Sequence, residues 1–187
     1  MSVTRMICNA IGVFTLASTL GAAPALAQQP APAPAMTATT AQAAMARDVV
    51  NLSDKFTGLA RVMAGKYDWR PGQGVRSVGE VFNLIVTENK MLAGLLKGAG
   101  GPAPGMGAAA PITDATALQE ALRSSYASVG QALSALSQAD LATPVTLFGR
   151  NTTKEGAVFI LLLDQHEHLG QSIAYARSNS VVPPWSK

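Results

Sequence analysis

Cysteine and histidine are almost absent from this sequence: one cysteine, Cys8, and two histidines, His166 and His168, in 187 residues. Cys8 falls inside an N-terminal segment that reads as removable. The chain that remains has no thiol nucleophile, no disulfide, no iron–sulfur cluster and no zinc knuckle, so its stability must come from packing. Basic residues are scattered, as at Arg47, Lys55, Arg61, Lys66, Lys90 and Lys97, and the formal net charge is +3. No basic stripe with interleaved aromatics exists, which argues against nucleic-acid binding. No segment alternates apolar and polar residues as a half-buried strand does, and there is no internal repeat.

What is present begins with an export signal. Arg5 is a lone positive charge, residues 7–20 form an apolar run of h-region length, and Ala25-Leu26-Ala27 is a small-residue cleavage box. Residues 1–27 therefore read as a secretory signal peptide cleaved after Ala27. The expectation is a periplasmic or secreted protein with no stable membrane insertion after cleavage. Residues 28–37 alternate Pro and Ala, which gives an extended linker. Residues 38–187 remain, about 150 residues, enough for one domain with one core.

Four helical patterns follow. Val49, Leu52, Phe56, Leu59, Val62 and Met63 recur at helical spacing in a first helix ending near residue 64, with Gly65 as its C′ residue. A breaker-rich loop spans residues 66–76. Ser77 with Glu80 three residues later is a capping box that opens a second helix, to about residue 97. Its stripe is Val78, Val81, Phe82, Ile85, Asn89, Leu92 and Leu96. Residues 98–110 form a flexible Gly/Ala/Pro-rich loop. A third helix opens at Thr113, with Asp114 beside the cap, and carries Leu118, Ala121, Leu122, Tyr126, Val129, Leu133 and Leu136. Residues 140–151 form a connection, with Phe148 expected to tuck under the bundle. The fourth helix starts at Thr152 or Thr153 and runs to about residue 177, with Val158, Ile160, Leu161, Leu162, Leu169, Ile173 and Tyr175 on its apolar face. The fold class is all-α, a four-helix up-and-down bundle with at least one long connection.

The fourth helix holds the chemistry-bearing residues. Asp164 and His168 are four apart and share one helix face. His168 reads as a metal ligand, a general base, or a histidine hydrogen-bonded inside the bundle. Asp164 sits among leucines, where an unpaired carboxylate is costly, so it must face water, a partner or a cation. A hydrogen bond to His168 would satisfy both without metal. On the second helix, Glu80 and Glu88 flank Leu84 at i−4 and i+4. The capping box accounts for Glu80, whereas Glu88 reads as a solvated residue or as a ligand supplied from one turn away. Asn83, Leu84 and Asn89 are candidates to line a cavity. His166 points elsewhere, to the surface. Trp69 and Trp185 read as apolar plugs, Arg177 suits its helix C-terminus, and Gly170 reads as a close-packing position.

Three stretches together resemble the DinB-like superfamily of metal-dependent four-helix proteins. They are Tyr67-Asp68-Trp69-Arg70-Pro71 leading into Arg76-Ser77-Val78-Gly79-Glu80-Val81-Phe82-Asn83, then His168-Leu169-Gly170-Gln171, then the tail from Tyr175 through Arg177 to Val182-Pro183-Pro184-Trp185-Ser186. The resemblance covers about residues 45–187. It implies a site of three histidines: one directly after the position of Asn83, and two at H-x-x-x-H on the fourth helix. Here those positions hold Leu84, Asp164 and His168. One ligand is kept, one is exchanged for a carboxylate and one is lost.

The leading expectation is a degenerate member that keeps the bundle and binds a small ligand or a partner. The alternative is a divalent-metal-dependent hydrolase or transferase using Asp164, His168 and Glu88, with Zn, Ni or Mn as the ion. The resemblance also implies thiol-dependent transferases, for which export to the periplasm is a poor setting, and a homodimer.

Overall fold

The computed structural model describes residues 40–99 and 110–186. The expected signal peptide and Pro/Ala linker, and residues 100–109 of the Gly/Ala/Pro-rich stretch, lie outside the described residues. Helices α1 (Ala41–Val62), α2 (Val78–Leu96), α3 (Ala115–Ser134) and α5 (Lys154–Ser178) make the bundle, with a one-turn α4 (Gln138–Leu141) and a hairpin of β1 (Pro144–Leu147) and β2 (Arg150–Thr153) between the last two. None of the described helices is long and apolar enough to cross a membrane.

Each bundle helix starts on a side-chain cap, because its first N–H groups have no partner within the helix. The Thr40 and Thr153 hydroxyls cap α1 and α5. The capping box opens α2, with Glu80 N donating to Ser77 Oγ at 3.2 Å and Ser77 N donating to Glu80 Oε2 at 2.6 Å. Asp114, one residue after the expected Thr113, caps α3 through Ala117 N at 2.7 Å. At the other end of α2, Gly98 takes φ +83°. It lets Ala99 N reach Gly94 O at 3.0 Å and Gly98 N reach Leu95 O at 3.1 Å, the paired bonds of a Schellman stop.

The helices α1 and α2 each pack against both α3 and α5, so the order around the bundle is α1, α3, α2, α5. Hydrogen bonds fix the directions. Gln42 at the start of α1 donates to the carbonyls of Leu133 and Leu136 at the end of α3, both at 2.9 Å. Lys154 at the start of α5 donates to Leu96 O at the end of α2, at 2.8 Å. Those pairs are antiparallel. Asn83 near the start of α2 bonds Ile112, just before α3, so α2 and α3 run the same way. The four helices therefore run up, down, down, up; the bundle is all-α as expected, but α2 and α3 are parallel and do not alternate as a plain up-and-down order would. In the centre Phe56 meets Phe82 edge-on and stacks near Tyr126, each with ring centroids 6.3 Å apart.

Four further expectations change. The connection at 140–151 contains α4 and the hairpin. Phe148 does not tuck under the bundle: it takes φ +50° beside Gly149 at φ +75° in the hairpin turn, which throws its ring outward, and Leu147 is buried instead. Ile160 is exposed, and Gln165 occupies the buried face of α5. Gly170 has nothing within 4 Å of where a Cβ would stand, so close packing does not account for it. A methyl group there meets open space, and alanine loses less backbone entropy on folding than glycine. Gly170→Ala should therefore raise unfolding stability by about 0.5–1 kcal/mol in urea titration; a loss of stability would mean that something packs on that face in solution.

Candidate functional site

The α5 wall of the site is Asp164 and His168, placed on one face by their i,i+4 spacing. His168 Nε2 stands 3.7 Å from Asp164 Oδ2. That is too far for a hydrogen bond, so the Asp164–His168 bond expected from the sequence does not form. The imidazole is held from its other side: Nδ1 pairs with Gln171 Oε1 at 2.9 Å, Gln171 Nε2 donates to the Tyr175 hydroxyl at 2.7 Å, and that hydroxyl donates to Arg76 O at 3.2 Å.

The chain has only one direction. A backbone carbonyl can only accept. The Tyr175 proton is therefore spent on Arg76 O, its oxygen must accept from the Gln171 amide, and Gln171 presents its carbonyl to His168. In the neutral imidazole the proton then sits on Nδ1, and the Nε2 lone pair faces Asp164. A ligating histidine is commonly oriented in this way by a hydrogen bond at its second nitrogen.

The α2 wall is Glu88, and of its two expected settings, solvated face or ligand position, the structure excludes the first. It is buried, only 8% exposed, and its Oε2 has no hydrogen-bond partner among the described residues. Burial, and then the nearby Asp164 carboxylate, push its pKa up to about 8; the neighbouring Gln165 amide and the charge of Arg76 pull the other way. Gln165 is itself fixed by a buried network. Tyr126 Oη donates to Gln165 Oε1 at 2.9 Å, Gln165 Nε2 to Asn89 Oδ1 at 2.9 Å, Asn89 Nδ2 to Ser125 Oγ at 3.2 Å, and Ser125 Oγ to Leu122 O at 2.9 Å. This second chain also ends on a carbonyl, so its polarity is equally determined. Asn89, expected at a cavity, belongs to the core through this network.

One donor atom each from Glu88, Asp164 and His168 lies within 4.8 Å of the others. Two donors about 2.1 Å from one ion sit roughly 3–4 Å apart, so the group fits a divalent cation with little closure. The orphaned carboxylate oxygen and the free imidazole lone pair are the donors such an ion takes. Leu84 is half-buried and, with Asn83, lines a neighbouring cavity. Asn83 also ties residue 112 to α2, accepting from Ile112 N at 2.8 Å. Glu80 stays in its capping box. His166 lies on another face and pairs with Asp48 Oδ2 at 2.8 Å. Trp69 packs edge-on to Tyr175 at 5.3 Å, and the Trp185 ring carries Lys55 Nζ 5.2 Å above it.

Sequence reasoning missed Gln165, Gln171, Tyr175 and Arg76 as supports of the site. Arg76, Gln171 and Tyr175 lie in the stretches that carry the resemblance, without a role attached there; the further signals are spacing, with Gln171 i+3 from His168, Tyr175 i+4 from Gln171, and Gln165 between Leu161 and Leu169 on the apolar face.

A family model described as the DinB superfamily matches residues 52–172. The fold is similar to two solved DinB-like proteins, both 17% identical. For the one from Bacillus subtilis the TM-score is 0.60, over 73% of this chain and 92% of that one. For the one from Bacillus cereus it is 0.63, over 76% and 95%. No curated protein matches the chain.

The raised pKa of Glu88 has a measurable consequence. The carboxyl titrates near 4.5 when unfolded and near 8 when folded. Between those values the folded state holds a proton that the unfolded state has lost. In chelator-treated protein, the Glu88 contribution to stability should be fullest below about pH 4.5 and be lost as pH rises through about 8, by up to about 1.4 kcal/mol per unit, whereas the lowered pKa values of Glu80 and Asp140 act the opposite way in acid. Urea titrations at several pH values should show this slope in the native protein and its disappearance in Glu88→Gln. A native-minus-variant difference that is flat or rises with pH would contradict the assignment.

Proposed function

The chain belongs to the DinB superfamily, and from that premise we propose that it is a divalent-metal-binding member whose third ligand is Glu88, one turn along α2 from Leu84. The observation that carries this is a buried carboxylate with an unpartnered oxygen, within 4.8 Å of Asp164 and His168. Two carboxylates and one imidazole form a harder donor set than three imidazoles, which shifts the preference toward Mn and leaves Zn as the common alternative. His168 contributes the Nε2 lone pair that the Gln171–Tyr175–Arg76 chain keeps free. Asp164, with its side chain 40% exposed, leaves one side of the site open to solvent and to a small-molecule substrate. Glu88 gives up its proton when it takes a ligand role, so ion uptake releases a proton and strengthens toward pH 8. An ion bound there supplies Lewis acidity and lowers the pKa of a water. The reaction class that this chemistry serves is metal-dependent hydrolysis or group transfer.

A second reading rests on Glu88 as well. A protonated Glu88 needs no counter-charge, so the bundle is self-consistent without an ion, and the chain then acts as a small-ligand binder with a degenerate site. Export to the periplasm remains part of the proposal, on the strength of residues 5–27. So does a homodimer, supported by the exposed Phe159, Ile160 and Leu163 on α5.

Elemental mass spectrometry of the purified chain after loading with Mn or Zn should find close to one ion per chain. His168→Ala and Glu88→Ala should lose it. Gln171→Ala should keep the fold and bind about 10–100-fold more weakly, as expected for a residue that orients a ligand. Background metal in the native protein would instead favour the ligand-binding reading.

A further inference from the structure

Beside the site, α2 forms one wall of a cavity of about 570 Å³. That volume suits a small organic molecule. Its apolar lining includes Leu84, Val86, Pro111 and Ile112, and its cations are Arg70, Arg76 and Lys90. The cations are not equivalent. Arg70 is engaged, donating to Val75 O at 3.3 Å and pairing with Glu80 at 3.4 Å. Glu80 is the one carboxylate in the lining; Ser77 N and Arg70 already hold it. The side chains of Arg76 and Lys90 have no hydrogen bond or ion pair among the described residues. Arg76 precedes α2, and Lys90 stands twelve residues beyond the first residue of that helix, Val78, about 18 Å along it at the usual rise. The two cannot grip one small anionic group together. The arginine end of the cavity is therefore the anion end, and Lys90 marks the far end.

We propose that this cavity binds a small organic anion, with its carboxylate or phosphate on the Arg76 guanidinium next to Arg70 and its apolar body along Leu84, Val86 and Ile112. Guanidinium suits either anion because its planar fork matches their paired oxygens. Arg76 also joins the cavity to the candidate metal centre: its carbonyl ends the chain that orients His168, and its side chain lines the cavity. Leu84 and Glu88 share a face of α2, so a molecule lying on Leu84 is one turn from the site. Binding of the anion does not require an ion, and this proposal stands whether or not the metal reading does.

The test is calorimetric titration of the full chain in excess chelator with three probes: 4-phenylbutyrate, phenyl phosphate and the neutral 4-phenylbutanol. At least one of the two anions should bind, and the alcohol should bind about tenfold more weakly or not at all. Whichever anion binds more tightly identifies the preferred group. Arg76→Gln should weaken that anion about tenfold with an unchanged helical circular dichroism spectrum, Arg76→Lys should recover part of the loss, and Lys90→Gln should cost less than Arg76→Gln. Equal binding of the alcohol, no binding of either anion, or full anion affinity in Arg76→Gln would overturn the proposal.

Discussion

A carboxylate buried beside another carboxylate is the constraint on which the site turns. Glu88 is in the core-facing part of α2, short of hydrogen bonds and near Asp164. Burying an unpaired charge in such a place costs several kcal/mol, so the group must either stay protonated or share a cation. With a pKa near 8 it does the first when no ion is present. The second option is open because the Asp164 carboxylate and His168 Nε2 face the same point. A residue chosen only for packing would be a leucine here, as position 84 is one turn earlier.

Two hydrogen-bond chains give this arrangement its direction. One runs from His168 through Gln171 and Tyr175 to Arg76 O, the other from Tyr126 through Gln165, Asn89 and Ser125 to Leu122 O. Each ends on a backbone acceptor that cannot reverse. The first leaves the imidazole lone pair facing the site. The second fixes the Gln165 amide beside Glu88. The second ties α2, α3 and α5 together at the level of the site, and the first fastens α5 to Arg76 at the end of the loop that leads into α2, so the candidate ligand positions are set by the bundle together with that loop end.

The bundle was legible in the sequence because its information is periodic. The stripe Val78, Val81, Phe82, Ile85, Asn89, Leu92, Leu96 is buried throughout, and Ser77 with Glu80 marked a helix start to the residue. Asp164 and His168 were legible because i and i+4 share a face. What spacing cannot carry is which of two polar faces turns inward. Glu88 looks like a surface glutamate until α2 is docked on α5. Gln171 and Tyr175 look like ordinary helix residues until Arg76 O is seen to end their chain. The hairpin was missed for another reason: its strands are four residues each and mostly exposed, too short and too polar to alternate visibly. The likeness to the Bacillus proteins, at 17% identity, extends to the fold alone, so the proposal for Glu88 rests on this chain's own side chains.

The most direct measurement is a crystal structure of the Mn- or Zn-loaded protein with anomalous diffraction collected at the metal edge. The account requires one anomalous peak about 2.0–2.2 Å from a Glu88 carboxylate oxygen, an Asp164 oxygen and His168 Nε2, with Gln171 still on Nδ1. A peak that leaves Glu88 uncoordinated, or no peak at this position after loading, would contradict it.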